Sequence, residues 1–137
     1  MKHLLRRNID DLMHGPALVL YAALTFSAFY ALPVHAATTT IKLTDQEMFQ
    51  PKIVTVHIGD TVKWVNSSAA VHTVTDDPKL AAKAADSSLP NGVQAFNSGF
   101  LKADQTYVHS FKVAGTYRYF CILHEGMGMV GTVVVKP

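Results

Sequence analysis

Seven short runs of β-forming residues, none longer than eight, recur along the chain beyond residue 38. They lie at 39–43, 53–58, 61–66, 72–75, 106–113, 116–121 and 131–135, and they are rich in Val, Ile, Thr, Tyr and Phe. Turn formers separate them: Gly59-Asp60, Asn66-Ser67-Ser68, Pro90-Asn91-Gly92 and Ala114-Gly115. Runs of this length and spacing bury a face only by stacking as two sheets, so the pattern predicts an all-β sandwich or barrel. One stretch stands apart. Residues 78–87 (PKLAAKAADS) are Ala- and Lys-rich with Pro first, which predicts one short helix beside the sheets. Pro51 falls just before a run, where its missing N–H does least harm.

The N-terminus reads differently. Lys2, Arg6 and Arg7 precede 16 uncharged residues at 17–32, and Val34-His35-Ala36 then offers small residues at −3 and −1. That layout predicts a secretory signal peptide over 1–36, cut after Ala36. As an anchor, 16 helical residues would span about 24 Å against a hydrocarbon core of about 30 Å. The expectation is therefore a soluble domain at 37–137, exported to the periplasm or beyond, with no stable membrane insertion after cleavage. A chain of that size buries a little over roughly 60% of its unfolded surface, enough for one core. Twelve Lys+Arg against 10 Asp+Glu, with no basic run, give no case for nucleic acid. A single cysteine, Cys121, excludes an internal disulfide framework.

The chemistry concentrates in Tyr117-Arg-Tyr-Phe-Cys121-Ile-Leu-His124-Glu-Gly-Met127-Gly-Met129. Period-2 alternation places Tyr117, Tyr119 and Cys121 on one face, and a short loop then presents His124 and two methionines. His72 opens another run further back. One thiolate, two imidazoles and a thioether match a trigonal His₂Cys copper site with a weak, long axial Met. Cu(II) favours tetragonal nitrogen and oxygen donors, whereas Cu(I) favours soft sulfur. A mixed N₂S set suits neither ideally, so it serves both with little rearrangement. Zinc more usually takes four strong ligands, and the chain has one Cys. An exported protein with a lone Cys needs some other use for it than an internal disulfide.

These residues carry a family resemblance. The stretch from Met48 to Asn66, including Trp64, resembles the N-terminal signature of cupredoxins. Tyr117-x-Tyr-x-Cys121-x₂-His124-x₄-Met129-Val-Gly-Thr-Val resembles the C-terminal copper loop of plastocyanins. The resemblance covers about 38–137. It implies a Greek-key β-sandwich, one mononuclear type 1 copper and a single-electron carrier working between redox partner proteins, a monomer aside from those encounters. It also implies the ligands His72, Cys121, His124 and Met129. Met127 is the alternative axial ligand in the amicyanin register, while Val130-Gly131 favours Met129. Three departures stand out. Thr73 replaces the usual Asn, so it is expected to tie the two ligand loops less well. Ile122-Leu123 replaces a Pro-containing pair, and Phe120 replaces a Tyr.

The remaining candidates read blandly. His57 and His109 sit beside no second donor, Trp64 reads as core, and Asp76-Asp77 reads as a solvated turn rather than a docking patch. The chain has no GxxxxGK[ST], HExxH or GxSxG. An electron carrier is therefore more economical than an enzyme, with copper storage, delivery or sensing as the alternative. His124 is the expected electron port. Leu123 and Met127 form part of its rim, which Glu125 interrupts with the only charge.

Overall fold

The computed structural model describes residues 36–137. The segment before Ala36, where the sequence predicts a signal peptide, lies outside them. Seven strands form: β1 (Thr38–Leu43), β2 (Phe49–Gln50), β3 (Ile53–His57), β4 (Thr61–Asn66), β5 (Thr106–Ser110), β6 (Gly115–Phe120) and β7 (Val130–Lys136). One sheet has the order β2-β1-β4-β5 and the other β3-β7-β6. Two pairings are parallel, β1 with β4 and β3 with β7, and the rest are antiparallel. The chain passes from sheet to sheet between β2 and β3, β3 and β4, and β5 and β6, so sequence neighbours often lie in opposite layers. This is a Greek-key sandwich.

Alternation builds the layers. β4 buries Val62, Trp64 and Asn66 and turns Thr61, Lys63 and Val65 outward; β3 buries Val54 and Val56. Ile41 and Leu43 from β1, and Val133 and Val135 from β7, complete the inner faces. Each such apolar side chain contributes about 1.5–3 kcal/mol on burial. Aromatic edges lock the middle: Tyr119 meets Phe49 at 4.7 Å and Trp64 at 5.3 Å, both edge-on. Gly131 is required there, because the Tyr119 phenol occupies the space its Cβ would fill. Gly59 takes φ +95° in the β3–β4 turn.

Three expectations are corrected. Residues 72–75 do not form a strand. They make isolated bridges, His72 to Leu101 and Thr75 to both Asn97 and Phe120, so their pairing is divided among several neighbours. The run at 106–113 stops as a strand at Ser110, because the Phe111 amide donates to the Asp60 carbonyl where the chain leaves the sheet. Residues 78–87 form no α-helix, only a three-residue 3₁₀ turn at Ala84–Asp86. A ten-residue segment is too short to sustain a helix on propensity alone. Its amides are also taken elsewhere: Lys79 donates to Asp77, and Ala82 and Lys83 donate to the Glu125 carboxylate. The two-residue β2 escapes a pattern search because it is too short to show a period.

Asp76 is the fourth correction. It is fully buried, not solvated. Its Oδ1 accepts the Phe96 amide at 2.7 Å, while Oδ2 has no partner among the described residues. Burial pushes its pKa up to about 6; the Phe96 amide opposes this and the Asp77 charge adds to it. The folded protein thus holds this proton where the unfolded chain, at 3.8, has lost it. The stabilisation is complete below pH 4 and disappears as pH rises through about 6, a loss of roughly 3 kcal/mol. Asp76→Asn keeps a carbonyl oxygen for Phe96 and should remove that slope. Urea unfolding of both proteins between pH 4 and 7 measures it, and parallel profiles would disprove the assignment.

Candidate metal centre

The end of β6 hands the chain to a compact loop. Cys121 follows Phe120 directly, with its thiol buried and free. The Cys121 amide donates to the Met129 carbonyl at 3.1 Å, closing a β6–β7 hairpin across residues 121–129. Inside it, the amides of His124, Met127 and Met129 donate to the carbonyls of Cys121, His124 and His124. A 3₁₀ turn at Glu125–Met127 is ended by Gly128 in the left-handed region, φ 86°. Local bonding thus fixes where the Cys121 and His124 side chains project.

His72 arrives from the irregular segment, clamped by a reciprocal pair of backbone bonds with Leu101 at 3.1 and 2.8 Å. Three donors then converge. Cys121 Sγ lies 3.8 Å from His72 Nδ1 and 3.5 Å from His124 Nδ1, and the two Nδ1 atoms are 3.1 Å apart. A triangle with those sides has its centre about 2 Å from every corner, the length of a first-row metal bond to imidazole or thiolate. The donor set fits a copper ion of this kind on size and on chemistry. Burial, reinforced by His124, holds the His72 imidazole below its ordinary pKa, while Glu47 and Asp45 pull weakly the other way. Its neutral form, with a lone pair to give, is favoured.

Thr73 joins the two ligand segments. Its amide donates to Cys121 Sγ at 3.3 Å, and its Oγ1 accepts the Ile122 amide at 2.8 Å. The tie expected to be weak is made in full by a hydroxyl. The two methionines separate cleanly: Met129 is fully buried and Met127 is 61% exposed. His57 is exposed beside Asp60, and His109 packs on Phe96 and Phe111, so neither joins the cluster. Trp64 is core, as its sequence context indicates.

Glu125 does not interrupt the rim. It is 4% exposed, and its two oxygens accept the Ala82 and Lys83 amides at 2.8 and 2.9 Å. The charge that reads as surface in the sequence is an internal tether between the ligand loop and the 78–87 segment. Ser68, whose hydroxyl lies 2.9 Å from His72 Nε2, is a second residue the sequence does not single out.

The profile of the copper binding proteins, plastocyanin/azurin family, matches residues 36–136. The chain belongs to this family. It is 36% identical over 126 residues to the plastocyanin of Nostoc punctiforme, covering 86% of this chain and 89% of that protein. It is 33% identical over 125 residues to the chloroplastic plastocyanin of Tetradesmus obliquus, covering 86% and 81%. Among solved structures it resembles a Cu(I) amicyanin variant at 27% identity and TM-score 0.55, covering 72% of this chain and 82% of that one. A purple cupredoxin from Nitrosopumilus maritimus, at 23% identity, shares the fold with a TM-score of 0.58, covering 72% and 99%. Family and donor set agree on the cofactor, a single type 1 copper, and on an electron-transport cupredoxin.

Proposed function

We propose that this protein is an exported carrier of single electrons between redox partner proteins, not an enzyme, and that its copper ligands are His72, Cys121, His124 and axial Met129. The convergence of Cys121 and two imidazoles at one buried point is the observation that carries the reading. The metal supplies a one-electron couple between Cu(I) and Cu(II). The protein's part is to keep the donor positions unchanged through that couple. The hairpin bonds, the Thr73 tie and the His72–Leu101 clamp all resist movement of the donors. The Thr73 amide donates to a thiolate sulfur, which stabilises its negative charge. Burial favours Met129 over Met127 as the thioether.

The electron port is His124, the one half-buried member of the donor set. Around it Leu123 is 47% exposed, and Ile122 and Met127 are exposed too. With Glu125 turned inward, the exposed side chains that flank His124 in its loop, Ile122, Leu123 and Met127, are all apolar. An uncharged surface sheds water readily and suits brief encounters between proteins. Export rests on the sequence of residues 1–36. Among the described residues no helix is long and apolar enough to cross a membrane.

The visible and electron paramagnetic spectra of the Cu(II) protein test the centre. An intense thiolate charge-transfer band with small copper hyperfine splitting is expected, and Cys121→Ser abolishes it. Met129→Leu raises the potential while Met127→Leu changes it far less; the reverse would make Met127 the ligand. A pale tetragonal spectrum rules the type 1 site out, and loss of copper on each reduction marks a delivery protein instead.

Docking is tested separately. Met127→Glu should slow transfer to the physiological partner at least tenfold with the spectrum intact, and alteration of the exposed Lys42 should do neither. Parental rates for Met127→Glu exclude this rim as the docking surface. The intact mass of the exported protein should correspond to a chain beginning at Ala37. A membrane-bound product that retains Tyr21 and Phe26 would instead show an anchor.

A further inference from the structure

His72 is held on its far side as firmly as on its metal side. Its Nδ1 faces Cys121 and His124, and its Nε2 lies 2.9 Å from Ser68 Oγ. Ser68 Oγ is in turn 2.8 Å from Asn66 Oδ1, which also accepts the Ser68 amide at 3.0 Å. Asn66 Nδ2 donates to the carbonyls of Ala70 at 2.7 Å and Leu101 at 2.9 Å. Asn66, Ser68 and His72 are all buried, so water offers them little alternative.

The chain of bonds has only one consistent direction. Two carbonyls flank Asn66 Nδ2, and a carbonyl only accepts, so the amide nitrogen must point at them and Oδ1 must face Ser68. With Oδ1 accepting, the Ser68 hydroxyl proton is drawn to it. The longer contact to the Ala70 carbonyl, 3.3 Å, is the weaker competitor. Ser68 Oγ then presents a lone pair to His72, which has to answer with an N–H at Nε2. A neutral imidazole carrying its proton on Nε2 has a bare lone pair at Nδ1, aimed at the donor cluster. In the reversed arrangement Ser68 donates to Nε2 and Nδ1 is protonated. Two lone pairs, on Oγ and on Oδ1, would then confront each other at 2.8 Å in a buried site.

We propose that Asn66 and Ser68 are positioning residues that preset the tautomer of His72, so that its metal-binding nitrogen is bare before any metal arrives. The Leu101 carbonyl links the same network to the strand-like contact that seats His72, so ring orientation and backbone position are fixed together. This inference rests on His72 being a ligand, as proposed above, and on no property of the partner proteins. Backing of this kind typically changes metal affinity ten- to a hundredfold.

The first measurement is made on the metal-free wild-type chain. Long-range proton–nitrogen correlation spectra of its histidines should show His72 protonated at Nε2, with that proton slow to exchange. Ser68→Ala should speed the exchange, mix the two tautomers and weaken copper binding about ten- to a hundredfold. Ser68→Thr restores the hydroxyl and should restore both readouts, which a general loss of packing would not. A metal-free wild type with His72 protonated at Nδ1 overturns the proposal whatever the variants do. So does a Ser68→Ala protein that keeps the Nε2 tautomer and parental affinity. If instead the tautomer is as expected but Cu(II) gives no thiolate band, the ligand reading fails and the tautomer assignment stands.

Discussion

Everything at the copper end depends on residues 72–75 lying against the end of β6. Thr75 and Phe120 exchange two backbone bonds, at 3.1 and 2.9 Å, and Thr73 reaches Cys121 and Ile122 with its amide and its hydroxyl. Those four bonds bring into register two pieces of chain that belong to no common ladder. They bring His72 and Cys121 together, and the Leu101 bonds hold His72 from its other side. A shift of one residue would send His72 to the opposite face, so the register specifies the site. Buried bonds of this sort contribute about 0.5–1.5 kcal/mol each when made. Breaking one partner costs more, because the other is left unpaired away from water.

The same logic explains why so much polar chemistry is inside this domain. The Glu125 carboxylate, the Asp76 carboxyl and the Asn66 amide are all buried, and each fixes backbone that lies outside the sheets. The long connection between residues 75 and 106 has little regular structure of its own. Side-chain oxygens stand in for the missing ladder: Asp76 holds Phe96, Ser98 holds Val74, and Glu125 holds Ala82 and Lys83. Ser98 accepts the Val74 amide at 2.8 Å, so the connection is stitched to the ligand segment at several heights.

How much of this the sequence discloses follows from the range of each interaction. Alternation is a local property, and β3, β4 and β6 stand close to where the pattern puts them. The ligand loop is also local, since Cys121, His124 and Met129 lie within one hairpin and their donor types speak together. His72 is legible through family resemblance, not through spacing. What stays hidden is long-range polar contact. Nothing in the string AADSS reveals that Glu125, some forty residues on, takes its preceding amides and prevents a helix. An Asp-Asp pair before Pro reads as a turn because burial is invisible in one dimension, yet Asp76 sits under the 94–97 segment. Ser68 looks like any turn serine until the fold brings His72 Nε2 to it.

The donor triangle has a consequence for the unfolded chain as well. His72 and Cys121 are 49 positions apart, and the metal the family carries would join them through a single atom. A covalent cross-link closing a loop of that size removes denatured-state entropy equivalent to about 4 kcal/mol. To the extent that both bonds persist as the fold opens, the ion confines the chain much as a disulfide does. A domain of one cysteine cannot staple itself by sulfur alone. Sharing that sulfur with an imidazole across a metal would give it a brace of another kind, one that a chelator removes where a disulfide would need a reductant.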